Sequence, residues 1–192
     1  MLAAGLTTSS TGRPPRNCLK YGRAAARLGD ARVARLAITS ASEARQREYG
    51  DELLEIGGEF RLSLASQHSL AGSALIEISG AEDEAGSELE RAADLYAAGP
   101  QPGESYRYTL EVRARIDLAT ARLRNGQLDA ALAPALSLPA AKRTVELPQR
   151  LTAVRAELAR PRYQGSAEAA ELDVRIEEFS TDAIIGGLSP SL

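Results

Sequence analysis

Residues 64–98 read LASQHSLAGSALIEISGAEDEAGSELERAADLYAA, and their pattern decides the fold. Two runs flank Gly80; each is expected to be a helix, with Gly80 turning the chain between them. In the second run Leu89, Ala92, Leu95 and Tyr96 recur at the i, i+3, i+6, i+7 spacing of one apolar face. Pro100 and Pro102 end that run, because proline cannot continue a helix interior. Gly72, Ala85 and Ala92 place small side chains where the paired helices must approach closely.

The arrangement recurs on both sides. Gly22, Ala34 and Ala41 straddle a turn at Gly29-Asp30, and Ala119, Ala131 and Leu138 more faintly straddle Asn125-Gly126. The echoes lie about 50 and 47 residues apart, beyond the ~34 residues of a standard tetratricopeptide repeat. A Gly57-Gly58 insertion and the Pro-rich loop account for the excess. The expected fold is all-α, a tetratricopeptide-like helical-hairpin solenoid of about three hairpins plus two C-terminal helices. Such arrays build binding surfaces and rarely perform chemistry.

Composition agrees. A chain of 192 residues can bury a substantial core without disulfide or metal. Aromatics make up 4 % and tryptophan is absent, which favours helices packed through small side chains over a β-sandwich. Cys18 is the single cysteine and His68 the single histidine, so an internal disulfide and a Cys/His zinc site are excluded, and Cys18 reads as a small buried hydrophobe. No run approaches the ~18 apolar residues of a membrane helix, and the N-terminus does not read as a signal peptide. The expected location is cytoplasmic.

The net charge of −3 is unevenly spread. Arg13 to Arg47 holds nine Lys/Arg and two acids, whereas the remainder holds fourteen bases and twenty-four acids. A basic end on an acidic body marks a candidate docking surface for nucleic acid or an acidic partner. The simpler account is that Arg23, Arg27, Arg32 and Arg35 are solvated faces of two short helices, and no reader of DNA bases accompanies them.

Residues 1–16 are rich in Ser, Thr, Gly and Pro and are expected to be disordered; 17–180 form the repeat domain and 181–192 a flexible tail. The first hairpin is expected from Asn17 to Arg47, with Asp30 as N-cap and Val33, Leu36, Ala37 and Ile38 as the buried stripe of its second helix. The third opens near Glu104, stops at Asn125-Gly126 and returns from Gln127 to Leu138 despite Pro134; Glu111–Arg115 and Arg113–Asp117 pair along its first helix. A helix from Pro148 to Arg160 and a last one from about Ser166 to Phe179, with Leu172, Ile176 and Phe179 inside, close the stack.

Little chemistry is offered. Gly57-Gly58-Glu59-Phe60 superficially resembles the GGDEF signature of diguanylate cyclases but lacks one acid and the flanking strands. No serine-hydrolase elbow or phosphate-cradling glycine loop occurs. His68 reads as a packing or groove-lining residue, since no local spacing supplies both an orienting carboxylate and a nucleophile. Glu82-Asp83-Glu84 sits in the first turn of a helix, where the dipole favours acids.

The segments LLEIGGEF, QHSLAGSALIE, ELERAADLYAAGP, RIDLATARLRNGQLDAALAPALSLPAAKR and RLTAVRAELARPRYQGS, in this order and at these distances, resemble the C-terminal tetratricopeptide-like half of helix-turn-helix transcriptional regulators of actinomycetes, Streptomyces especially. The resemblance covers Leu19 to Phe179. It implies a cytoplasmic regulator in which a helical sensor or dimerisation module governs an N-terminal DNA-binding domain. That domain of ~60 residues has no counterpart here, so the chain reads as a truncated product, an internal start or a stand-alone module.

The expected function is a non-enzymatic interaction module, binding a peptide, protein or small effector in a groove formed by the first helix of each hairpin. Arg23, Ser69, Ser73, Arg113 and Thr120 are expected to face the groove, with Gly22, Gly72 and Ala119 packing behind it. No cofactor, metal, membrane or direct DNA contact is expected. The alternative is a self-association module, a homodimer or a decoy partner of full-length regulators.

Overall fold

The computed structural model describes residues 15–48, 62–100, 108–128 and 146–187. Among these the chain is all-α, with no strand. Helix α1 spans Pro15–Arg27, α2 Ala31–Glu48, α3 Leu64–Leu75, α4 Glu82–Ala97, α5 Tyr108–Arg124, α6 Glu146–Leu158 and α7 Ala167–Gly187, with a 3-10 turn at Pro161–Tyr163.

The helices start and stop where local chemistry dictates. Gly29, Gly80 and Gly126 carry φ of 82°, 80° and 76°, a left-handed conformation that ends a helix and that only glycine adopts without a Cβ penalty. Asp30 caps α2 by accepting from the Val33 amide at 2.9 Å. Ser63 does the same for α3 from Ser66 at 3.1 Å, and Ser166 for α7 from Ala169 at 3.1 Å. α4 has no side-chain cap at Ala81, and Glu82, Asp83 and Glu84 fill its first turn. Two of these acids also tie elements together: Asp83 accepts from Asn125 Nδ2 at 2.8 Å, and Glu84 pairs with Arg35 of α2.

Small residues set the spacing within the two hairpins. A Cβ on Gly22 would lie 3.1 Å from the Ala37 Cβ, and one on Gly72 would lie 2.5 Å from the Leu89 Cγ. α1 packs on α2, α3 on α4, and α4 on α5; α1 also contacts α3, and α3 contacts α5. One apolar cluster, built around Ala25, Ala34, Leu75, Ala85, Leu89 and Leu118, joins α1 through α5. A second, with Ile116, Leu123, Leu151, Val154, Tyr163 and Ile176, joins α5 to α6 and α7. Helix α5 belongs to both.

Several boundaries and faces differ from expectation. The buried stripe of α2 is Ala34, Ala37 and Ala41, with Val33 and Ile38 beside it, while Leu36 is 54 % exposed. Close approach to Gly22 selects alanine, and leucine is turned outward. α1 begins at Pro15, within the segment expected to be disordered, and α7 runs on to Gly187 instead of ending near Phe179. Pro148 falls in the first turn of α6, where no intrahelical amide bond is lost. Residues 1–14, Gly57–Phe60, the returning helix of the third hairpin with Ala131, Pro134 and Leu138, and 188–192 lie outside the described residues. Ala119 packs against the cluster shared with α6 and α7.

Candidate ligand-binding face

Where α1, α3, α5 and α6 meet, polar side chains converge on Asp117. Arg150 of α6 donates from Nη1 to both carboxylate oxygens, at 2.7 and 2.9 Å. The Ser73 hydroxyl of α3 donates to the same carboxylate. Asp117 and Arg150 keep side-chain exposures of only 13 % and 16 %, so the pair is largely withdrawn from water. A largely buried carboxylate is tolerable because its oxygens are occupied by a guanidinium and a hydroxyl.

Arg23 of α1 lies close enough to feel the charges of this cluster and pairs with Glu77. Its Nη2 lies 3.6 Å from Glu77 Oε1, which also receives Arg27 Nε at 2.9 Å. The Arg23 Nε is buried and has no hydrogen-bond partner among the described residues. Burial lowers the Arg23 pKa from its ordinary value; the Asp117 charge opposes that shift and the Arg150 charge adds to it. Three arginines therefore share two carboxylates, leaving an excess of donors and of positive charge.

A second chain of polar contacts runs alongside. Arg124 donates from Nη1 to the Ile76 carbonyl and from Nε to Glu157 Oε1, the latter at 2.8 Å. Arg160 Nε lies 2.7 Å from the other Glu157 oxygen, an ion pair without hydrogen-bond alignment. Tyr163 donates its hydroxyl to the Leu123 carbonyl at 2.5 Å. These bonds lock α6 and the 3-10 turn onto the end of α5.

Of the five residues expected to line a groove, Ser73 bonds Asp117, and Arg23 lies near enough to feel the Asp117 charge. Ser69 is buried on α3. Thr120 is also buried, and its hydroxyl donates back to the Ile116 carbonyl of its own helix at 3.2 Å. Arg113 is half-buried on α5. Arg23 and Arg113 thus keep partial exposure, whereas the three hydroxyls sit below the surface. Asp117, Arg150, Arg124 and Glu157 were not anticipated as site residues. The one available signal was charged residues at positions that pack, since Glu157 is buried and lies one residue before the core residue Leu158.

His68 acquires the carboxylate that local spacing could not supply. Its Nδ1 lies 2.7 Å from Glu88 Oε2 across the α3–α4 hairpin, and Arg91 Nη1 stands 3.4 Å from the other Glu88 oxygen. The described cavity lies elsewhere. It is an open trench of about 610 Å³ between α6 and α7, with Thr152, Ala156, Tyr163, Ser166 and Ala170 on its walls. The Arg155–Asp173 ion pair, with hydrogen bonds of 2.6 and 2.9 Å, also borders it. Among the described residues no group of three or more His, Cys, Asp or Glu could hold a metal ion, and no helix is long and apolar enough to cross a membrane.

No protein family, curated protein or solved structure matches this chain.

Proposed function

We propose that the chain is a non-enzymatic tetratricopeptide-like interaction module, the sensor portion of a transcriptional regulator, which takes a peptide, protein or small effector on the face shared by α1, α3 and α5. The observation that carries this reading is that the first helices of successive hairpins lie side by side, with Ser73 of α3 bonded to Asp117 of α5 and Arg23 of α1 within reach of the Asp117 charge. A face made of stacked helices is preformed, so a ligand is bound with little ordering cost. Its cationic excess favours acidic ligands.

Binding is tested by fluorescence polarisation, screening a labelled library of acidic and neutral peptides against the full chain. Acidic members are expected to bind, and Arg23→Ala with Arg113→Ala to weaken them about tenfold or more, as loss of charge-assisted hydrogen bonds implies. An affinity left untouched by both substitutions overturns the assignment of the face.

A further inference from the structure

Among the described residues, large exposed hydrophobic side chains fall on few elements. Among the described residues they are Tyr21 at 51 %, Leu28 at 87 %, Leu36 at 54 % and Val174 at 55 %. The first three lie in or beside α1 and α2 and the last on α7; none of the described side chains on α3 to α6 joins them. α1 and α2 pack on each other and on α3, whereas α7 packs on α6, so these patches mark opposite ends of the contact order.

The two ends carry opposite charge. α1 and α2 together hold eight bases and two acids, and α7 holds six acids and one base. Arg32 and Leu36 stand one turn apart on the outer side of α2, both exposed, with Leu28 at the adjoining turn. On α7 the exposed residues Glu171, Val174 and Glu178 follow i, i+3, i+7 spacing, opposite the buried Ala169, Ile176 and Phe179. The first patch sets a positive charge between two leucines and the second sets a valine between two negative charges, so the two are complementary in charge and both carry apolar surface.

We propose that this chain associates head to tail with further copies of itself, the Leu28/Arg32/Leu36 face of one copy docking on the Glu171/Val174/Glu178 face of α7 in the next. The two surfaces differ, so the contact is heterologous, and each bound copy leaves one basic and one acidic end open for another. The opposite charges guide the encounter and fix its register, and the apolar side chains beside them exclude water. The face shared by α1, α3 and α5 takes no part.

Sedimentation velocity on the full chain tests this at about 50 mM and about 500 mM NaCl, a range that carries the screening length from beyond ~10 Å to well below it. In low salt the average mass should climb past that of a dimer as concentration rises. In high salt it should fall toward the 20.4 kDa monomer. Leu28→Gln with Arg32→Gln, and separately Glu171→Gln with Val174→Gln, should each give a monomer of unchanged helical circular dichroism. None of these four side chains joins the ion pairs described above. Mixed, the two variants should form a 1:1 dimer and nothing larger, because each retains the end the other lacks. Arg23→Gln should assemble like the parent, which separates this proposal from the ligand-binding reading. A parent chain that stays monomeric at low salt, one that stops at two copies, or a mixture of variants that stays monomeric overturns the head-to-tail contact.

Discussion

Gly72 shows how one missing side chain can hold a hairpin together. Its helical φ suits alanine, and in open space Gly→Ala would gain up to about 1 kcal/mol of helix propensity. Here the new methyl would stand 2.5 Å from Leu89 Cγ, an atom of a fully buried side chain that cannot swing away. Overpacking of this kind costs about 1–3 kcal/mol. Gly72→Ala is therefore expected to lower the urea midpoint, whereas Gly86→Ala on α4, with nothing within 4 Å, should raise it. Asp117 is the second residue on which much depends. Asp117→Ala strands Arg150 in a poorly hydrated place and should destabilise by about 2–3 kcal/mol, somewhat under the figure for a fully buried pair. A double-mutant cycle with Arg150→Ala should return a coupling of about 1–2 kcal/mol. A coupling near zero would mean that the two side chains merely sit side by side.

At the level of the helix, legibility tracked how local the determining interaction is. The turns at Gly29, Gly80 and Gly126 could be read directly, because a left-handed residue is a property of one position. The cap at Asp30 was equally plain, since donor and acceptor lie three residues apart. Ser63→Ala tests such a cap and should cost about 1 kcal/mol, as thermal melts would register. The stripe of α2 was misread at Leu36 because hydrophobicity ranks leucine above alanine, and only the distance to Gly22 reveals why alanine is chosen. The Asp117 cluster was invisible for a stronger reason. Ser73, Asp117 and Arg150 come from three helices, and in sequence each charged member resembles a solvated surface residue. Ser69 and Thr120 differ in the opposite sense: the repeat register sets them at equivalent groove positions of two helices, but register says nothing of what lies over them, and both are buried.

Over the whole molecule, α5 decides how the parts communicate. It sends Leu118 and Ala121 into the cluster with α1 to α4, and Ile116, Ala119 and Leu123 into the cluster with α6 and α7. Neither half closes its core without it. Ile116→Ala should cost about 2–5 kcal/mol. If the chain unfolds as one unit, amide exchange should accelerate in α3–α4 as well as in α6–α7; a loss of protection confined to the second half would divide the molecule at α5. Cys18 adds a use that has nothing to do with binding. It is the chain's single thiol, 6 % exposed and covered by Leu19, Ala41 and Ala71. A thiol reagent can reach it only when this packing of α1, α2 and α3 opens. The rate of modification is thus a clock on that opening, readable on the native chain without any substitution.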